Sequence, residues 1–229
     1  MYLKSIARNW TVAVFVGLFI GFIGLPLRAA EPAVVTFSLD FPNSNPEHYS
    51  ITVKSDGSGQ YESSGKISAD SEDRDKYQTT FNFSDATRAR IFDLTAQAHY
   101  FSGRIASGNK RLAFTGAKRL SYTDERQSYE ADYNFSSVPA VQQLTVLFQS
   151  VGATLEFGHR LSYFHRYQKL ALDDELRQME DQAQHGELTE VQAVKPVLQE
   201  IYDDGSVINV VRARALRLMQ WAASTSAGK

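Results

Sequence analysis

Hydrophobic and polar residues alternate along the first half of the chain, between residues 33 and 135. Val35, Phe37 and Leu39 alternate with polar or small neighbours, and residues 77–83 repeat the pattern. Such alternation buries one face of a β-strand and leaves the other in solvent. The same pattern predicts further strands at residues 49–53, 60–62, 111–114, 118–123 and 128–135. We therefore expect this half of the chain to form a sheet.

One helix is predicted to interrupt the strands. Ile91, Leu94 and Ala98 recur at three- and four-residue spacing, which is the period of an amphipathic helix. Ser84 or Asp85 can accept a hydrogen bond from the free N–H groups of its first turn. We expect this helix to lie across one face of the sheet.

The strand that leads into this helix carries Phe81 and Phe83 on its apolar face. Both rings are therefore predicted to be buried between the sheet and the helix. Strands lie before and after a single helix, without regular alternation of strand and helix, and this order is typical of an antiparallel sheet.

Beyond residue 137 the hydrophobic spacing becomes helical. Pro139 suits the first turn of the first helix, Pro196 either kinks the third helix or marks its restart, and Ser206 caps the last. The apolar stripes that define four helices are Val141, Leu144, Leu147 or Phe148, and Val151; Leu172, Leu176, Met179 and Ala183; Val191, Val194, Leu198 and Ile201; and Val207, Val211, Ala215, Leu218 and Ala222. The predicted fold is therefore of the α+β class, an antiparallel sheet with one covering helix followed by a C-terminal helical subdomain.

The N-terminus resembles a secretory signal. An uncharged apolar run covers residues 10–27, with Lys4 and Arg8 before it and small residues after it. An uncleaved membrane anchor stays open as an alternative, because Leu27 and Arg28 are not the small residues that signal peptidase prefers, and about 18 apolar residues only just span a bilayer. The predicted segments are a signal peptide or anchor at 1–30, a β-rich domain with one helix at 31–136, a helical subdomain at 137–224 and a disordered tail at 225–229.

Charge and cysteine content narrow the class of protein. Residues 1–30 hold three basic and no acidic side chains, so 21 basic and 26 acidic side chains remain beyond them. A mildly acidic protein has no electrostatic attraction to nucleic acid or, once the signal is cleaved, to an anionic membrane. The chain has no cysteine, so its stability rests on a hydrophobic core rather than on disulfides. We expect a periplasmic or secreted protein.

Two resemblances agree with this architecture. Residues 84–88 (SDATR), 98–101 (AHYF) and 114–118 (FTGAK) are similar to segments of uncharacterised exported bacterial proteins with a sheet-and-helix core. Residues 190–220 resemble a single HEAT-type helical hairpin, with Pro196 in the first helix and Asp203, Asp204 and Gly205 at the turn. The resemblances imply an architecture and bring no activity with them.

The most suggestive pair of side chains for catalysis or metal binding is Glu156 and His159. Their spacing matches one half of a di-iron site in a helical bundle, but such sites need a second motif and two further glutamates. His165 lies in an aromatic and basic cluster at residues 163–167, which favours packing of the helix on the sheet over a ligand platform. No metal site is predicted from either histidine, and we expect Glu156 and His159 to form a surface or helix-end pair.

Other polar clusters fit surface roles. Asp70, Glu72, Asp73 and Asp75 crowd one loop but lack the order of residues of a calcium-binding loop. Residues 56–59 (DGSG) join strand to strand, so they form a hairpin turn rather than a phosphate loop.

Nucleophilic and basic motifs are equally weak. No Gly-x-Ser-x-Gly elbow occurs in the sequence. A basic patch could arise from Arg212, Arg214 and Arg217 with Lys110, Arg111, Lys118 and Arg119, but on an acidic protein we expect these side chains to pair with acids. No catalytic, cofactor-binding or metal-ligating residue is predicted, and no cofactor.

The expected function follows from the lack of any predicted catalytic, cofactor-binding or metal-ligating residue. We interpret the chain as an exported cell-envelope protein that binds a protein or a small ligand without catalysis. The first alternative is an envelope hydrolase with a site between sheet and helices, and we predict that His159 is dispensable for any activity. The second alternative is a protease or lysozyme inhibitor, for which residues 63–75 are the candidate protruding loop.

Overall fold

The alternating first half of the chain forms one antiparallel sheet. The computed structural model describes residues 31–66, 74–109 and 111–227, and the predicted signal at 1–30 lies outside them. The described strands are β1 (Val34–Asp40), β2 (His48–Lys54), β3 (Ser58–Lys66), β4 (Arg74–Asn82), β5 (Ala117–Thr123) and β6 (Ser128–Tyr133). Their order across the sheet is β4-β3-β2-β1-β5-β6.

The register of the strands separates an apolar face from a polar one. Phe37 pairs with Ile51 on one side and Leu120 on the other, and all three are fully buried. Their neighbours Thr36 and Thr52 lie on the opposite face, with hydroxyl oxygens 3.2 Å apart. The period of two in the sequence therefore becomes two chemically distinct surfaces.

Helices make up most of the described chain beyond residue 138, as its spacing predicts, and one helix interrupts the strands. The helices are α1 (Asp85–Gln97), α2 (Pro139–Tyr167), α3 (Leu172–Gln184), α4 (Lys195–Asp203) and α5 (Asn209–Ala227). The α+β class with C-terminal helices is confirmed. Within the described residues, no helix combines the length and the hydropathy needed to span a bilayer.

Two helices lie on the apolar face of the sheet. Helix α1 begins where predicted, with the Ser84 hydroxyl accepting a hydrogen bond from the Thr87 amide at 3.3 Å. Helix α2 starts at Pro139, and its Phe148 ring stacks on Phe37 with centroids 5.3 Å apart. Phe83 is buried, as expected.

The prediction for Phe81 is only partly right. Its ring lies 4.7 Å from that of Phe83, but the side chain is half-buried. It projects from β4, which forms one edge of the sheet. An edge strand is covered on fewer sides than a central one, so its inward-facing side chains keep some contact with solvent.

The middle of α2 is enclosed on all sides, and two glycines allow this. A Cβ added at Gly152 would lie 3.1 Å from the Tyr49 ring of the sheet. A Cβ at Gly158 would lie 2.5 Å from Val194, which belongs to a 3₁₀ turn before α4. Gly158 therefore lets the turn approach α2 closely, and the helix continues through it.

One predicted strand is wrong. Residues 111–114 are irregular, and Phe114 is 57 % exposed, with its ring edge against Phe41. The Asn134 side chain takes the place of a partner strand, since its amide donates to the Ala113 carbonyl and its oxygen accepts from the Thr115 amide.

The ends of three helices refine the predictions. Helix α1 ends at Gln97, and three residues with positive φ, His99 to Phe101, turn the chain beyond it. Ser206 does not cap the last helix, because α5 begins at Asn209 and the Ser206 hydroxyl donates to Asp204 instead. Residues 225–227, expected in a tail, are helical, while 228 and 229 lie outside the described residues. Pro196 marks a restart in the first turn of α4.

Candidate functional site

The pair Glu156 and His159 lies inside the protein, between α2 and the sheet. Glu156 is only 7 % exposed. The Tyr61 hydroxyl of β3 donates to its Oε1 at 2.6 Å, and the Ser63 hydroxyl also hydrogen-bonds the carboxylate. The surface or helix-end location expected for this pair is therefore wrong, because the sheet supplies donors that the helix sequence does not reveal.

His159 connects α2 to the edge strand β4. Its Nε2 lies 2.8 Å from Asp75 Oδ2, and its Nδ1 lies 3.7 Å from Glu156 Oε2. The ring stacks on Tyr77, with centroids 4.0 Å apart and planes inclined by 7°. We call Glu156, His159, Asp75 and the two tyrosines Tyr61 and Tyr77 the histidine network.

Burial and hydrogen bonding shift the pKa of Glu156 in opposite directions. Burial alone raises the pKa of its carboxyl, but hydrogen bonds from His159, Ser63 and Tyr61 outweigh burial and leave that pKa below its usual value. Burial, together with the nearby Glu156 charge, raises the pKa of the Tyr61 hydroxyl well above 10.0. The network therefore holds a carboxylate beside a neutral tyrosine at neutral pH.

The histidine network differs from the arrangement around a catalytic histidine. A catalytic histidine uses one nitrogen to contact an orienting acid and the other to exchange a proton with nucleophile or substrate. In this protein both His159 nitrogens face carboxylates. The arrangement also differs from a metal centre, and the described part of the chain contains no group of three or more ligands placed to hold a metal ion.

Of the four acidic residues predicted to share one loop, one lies among the residues that the structure describes. Asp75 belongs to β4 and contacts His159, whereas Asp70, Glu72 and Asp73 lie outside the described residues. Ser63, at the other end of the proposed protruding loop, is a buried residue of β3. The segment that remains between the two strands is residues 67–73.

The hairpin at residues 56–59 forms as predicted. The Asp56 carboxylate accepts hydrogen bonds from the backbone N–H and the hydroxyl of Ser58, and these bonds lower the pKa of Asp56. Gly57 has a φ of 94°, which few residues other than glycine adopt. The turn uses its polar groups internally.

Three of the seven residues of the predicted basic patch pair with acids, as expected, and the patch members are spread over the described part of the chain. Arg214 and Arg217 both contact Glu180, and Arg119 contacts Asp132. His165 and Lys169 share Asp204 in the same way. Arg212 instead donates to the Tyr202 carbonyl. Lys110 lies outside the described residues.

Lys118, like Arg212, donates to carbonyls rather than to an acid. It is buried and its ammonium donates to the carbonyls of Thr115, Gly116 and Asn134 and to the Thr115 hydroxyl. Burial lowers its pKa. Its bonds join the loop before β5 to the end of β6, which is a structural role.

A cavity of about 540 Å³ lies where the start of α1, residues 188–192 and α5 meet. Its lining combines hydroxyl, carboxyl and amide side chains with one indole. The lining residues are Ser84, Asp85, Ala86, Thr87, Leu188, Thr189, Glu190, Val191, Gln192, Trp221 and Ala222. We call it the α1 cavity, and its volume falls in the range of small-molecule sites.

Glu190 organises the wall of the α1 cavity. It is 6 % exposed and has a φ of 66°, a left-handed conformation that is unfavourable for a glutamate. Its carboxylate accepts hydrogen bonds from the Ser84 backbone N–H at 2.8 Å, from the Ser84 hydroxyl at 2.7 Å and from the Gln192 amide. The left-handed residue therefore aims a carboxylate at the start of α1, and such backbone strain is concentrated at functional sites.

Sequence reasoning missed the α1 cavity. Glu190 and Ser84 are 106 residues apart, and no sequence motif links the two residues. One local signal was available for the other buried glutamate, since Glu156 follows Thr154 and Leu155 and precedes Phe157 in a largely apolar stretch. A lone charge in such a stretch indicates a partnered buried group.

Other cavities are less organised. A groove of about 670 Å³ between α1 and α2 is lined by Leu94, Val146, Leu147 and Ala153 with several glutamines around it. A cavity of about 650 Å³ on the polar sheet face contains the paired Asp40 and His48. Neither of these two cavities joins a buried carboxylate to an aromatic side chain.

Comparison with models of protein families and with curated proteins finds no match to this chain. Its function is therefore argued from the site itself.

Proposed function

We propose that the protein is an exported, non-catalytic binding module of the cell envelope and that the α1 cavity is its ligand site. The observation that supports this proposal is the contrast between two buried glutamates. Glu156 lies in a network whose histidine faces a carboxylate with each of its two nitrogens. Glu190 is equally buried but lines a cavity of a size that takes a small ligand.

The composition of the cavity wall supports binding rather than catalysis. Among the described residues, its ionisable side chains are Asp85 and Glu190, and no histidine or lysine lines it beside them. Asp85 pairs with Arg88 at 3.1 Å, and Glu190 accepts three hydrogen bonds. Carboxylates held in this way orient a ligand, whereas general acid–base chemistry needs a group free to exchange a proton.

An activity screen separates the proposal from the hydrolase alternative. The full chain and His159→Ala are tested on chromogenic esters, glycosides and phosphomonoesters, with Glu62→Ala on the polar sheet face as the matched control. We expect no turnover from any of the three proteins. Turnover by the wild type that His159→Ala abolishes while its melting temperature holds would contradict the proposal and favour an enzyme.

Export is tested separately. The charged start and apolar run of residues 1–30 support cleavage after export, so intact mass of envelope material should show a chain that lacks them. Recovery of the full 25.6 kDa chain in the membrane fraction would favour an anchor and contradict cleavage.

A further inference from the structure

We infer that β4 of one molecule pairs with β6 of a second copy, so that the sheet continues head to tail from one copy of the chain into the next. Among the described strands, these two form the edges of the sheet. The inference goes beyond the proposed function, which concerns the α1 cavity. It rests on the backbone direction, the charge and the register of the two edge strands.

Each edge strand directs part of its backbone away from the sheet. In an antiparallel ladder, residues that bond to the neighbouring strand alternate with residues that face away from it. The Phe83 N–H donates to the Gly57 carbonyl just beyond β4, and the Asp124 N–H donates to the Gln127 carbonyl in the turn before β6. Continued along the two registers, these bonds direct the odd-numbered residues of β4 and β6 toward the sheet and the even-numbered residues outward. Such an outward row of N–H and C=O groups is a template for another strand.

The outward-facing residues give the two edges opposite charges. On β4 they include the exposed Arg74 and Lys76, and on β6 they include the exposed Glu130 and Asp132. Like charges directly opposite one another destabilise a strand pair, whereas opposite charges stabilise it. Two copies of β4 therefore repel each other, as do two copies of β6, and each edge favours the other.

One register pairs both sets of charges. Strand direction alternates across the sheet, so a second copy shifted along it places its β6 antiparallel to β4 with the polar faces on the same side. When Lys76 lies opposite Glu130 of the second copy, Arg74 lies opposite Asp132. Arg74 and Asp132 already contact charged side chains of their own chain at 2.8 Å and 2.6 Å, whereas Glu130 is 3.9 Å from a guanidinium. The pair of Lys76 with Glu130 is therefore the one to test.

The same register covers an exposed aromatic side chain. Tyr129 of β6 is 39 % exposed, although it lies on the apolar side of the sheet opposite the buried Tyr122. In the proposed register, Tyr129 of the second copy lies opposite Tyr77 of β4, whose ring stacks on His159. Aromatic cross-strand pairs stabilise antiparallel strands, so the pairing gives Tyr129 the cover that its edge position lacks.

The pairing is tested with introduced thiols, because the chain has no cysteine. Gln78 and Ser128 are uncharged and lie opposite each other in the proposed register. We expect full-length Gln78→Cys and Ser128→Cys chains, mixed under mild oxidation, to form disulfide-linked dimers on a non-reducing gel.

A chain that carries both substitutions distinguishes an open assembly from a closed pair. The two positions lie on opposite edges of one sheet, about 24 Å apart, which is too far for a disulfide within the chain. Head-to-tail pairing leaves one free β4 and one free β6 on every assembly. We therefore expect a ladder of dimers, trimers and larger species.

Lys54→Cys mixed with Ser128→Cys is the matched control. Lys54 is exposed on the polar face of β2, which is an inner strand. Dimers should form about tenfold more slowly in this mixture, because a disulfide needs Cα atoms within about 7 Å of each other.

Charge reversal beside the thiols tests the recognition itself. In the mixture of Gln78→Cys with Ser128→Cys, Lys76→Glu on the first chain or Glu130→Lys on the second should slow dimer formation about fivefold, and both together should restore it. A rate no higher than that of the control, a faster disulfide between two Gln78→Cys chains, or an unchanged rate after charge reversal would each overturn the inference.

Discussion

Glu156 and Glu190 are buried to the same degree, at 7 % and 6 % exposure, yet they lie in different surroundings. The donors to Glu156 are side chains of the sheet and of α2 itself. The donors to Glu190 include a backbone N–H at the start of α1, and a cavity lies beside it.

The comparison shows that burial and hydrogen bonding do not by themselves identify a site. Both carboxylates are satisfied, and the structure leaves no buried polar side-chain atom unpartnered among the residues it describes. The two glutamates differ in their backbone conformation and in whether a cavity lies beside them. Glu156 lies in regular helix, whereas Glu190 adopts a φ of 66° at the edge of a cavity.

The largest expected difference comes from removing the Glu156 carboxylate. Glu156→Ala leaves Tyr61 and His159 without their buried partner, which costs on the order of 3–5 kcal/mol of unfolding free energy. Urea denaturation measures the loss. Glu62→Ala, on the exposed face of β3, should cost under about 1 kcal/mol, and equal losses in the two variants would remove the distinction between buried and exposed glutamates.

Two substitutions at Glu190 separate the contribution of its carboxylate to stability from the cost of its backbone conformation. Glu190→Ala removes a hydrogen-bond acceptor from the start of α1 and keeps an unfavourable φ, so we expect a loss of about 1–2 kcal/mol. Glu190→Gly should recover about 1 kcal/mol of this loss, because glycine adopts a positive φ freely. Urea denaturation of both variants provides the measurement, and a glycine variant less stable than the alanine variant would contradict the strain argument.

The pH dependence of stability sharpens the comparison further. The pKa of Glu156 is lowered in the folded protein, so its carboxylate contributes stability above the unfolded pKa of about 4.3 and loses that contribution as pH falls through the folded pKa. Between about pH 6 and pH 3 the wild type should therefore lose more stability than Glu156→Gln. Urea melts across this range supply the slopes, and parallel slopes would show that other carboxylates dominate.

The smallest effect is expected at the edge of the histidine network. Asp75→Asn removes the charge opposite His159 Nε2, but the Asp75 side chain is 45 % exposed and Tyr77 still stacks on the imidazole. The loss should stay under about 1 kcal/mol in urea melts. A loss as large as that of Glu156→Ala would place the main support of the network on β4 instead of α2.

Much of the fold was accessible to local patterns. Alternation identified β1 and β2, Ser84 was predicted as a cap for α1, and Pro139 as the start of α2. These features depend on residues within a few positions of one another. The false strand at residues 111–114 shows the limit, because its alternating residues are held by the distant Asn134 side chain.

The candidate site could not be predicted from local sequence patterns. Its main hydrogen bonds join Ser84 to Glu190, and the histidine network joins Tyr61 to Glu156 across 95 residues. Spacing along a helix relates residues three or four apart and carries no information on such pairs. The left-handed conformation of Glu190 had no sequence signal either, since glycine is the usual residue there.

The late position of α2 in the chain has a consequence for folding during synthesis. Phe37 and Tyr61 leave the ribosome well before their partners Phe148 and Glu156. A nascent chain that stops short of α2 already contains the six described strands and displays the aromatic side of their sheet with α1, but not α2, to cover it. Folding intermediates that expose apolar surface in this way are the substrates of chaperones. Synthesis of α2 therefore marks the point at which the chain no longer needs a chaperone to cover this surface.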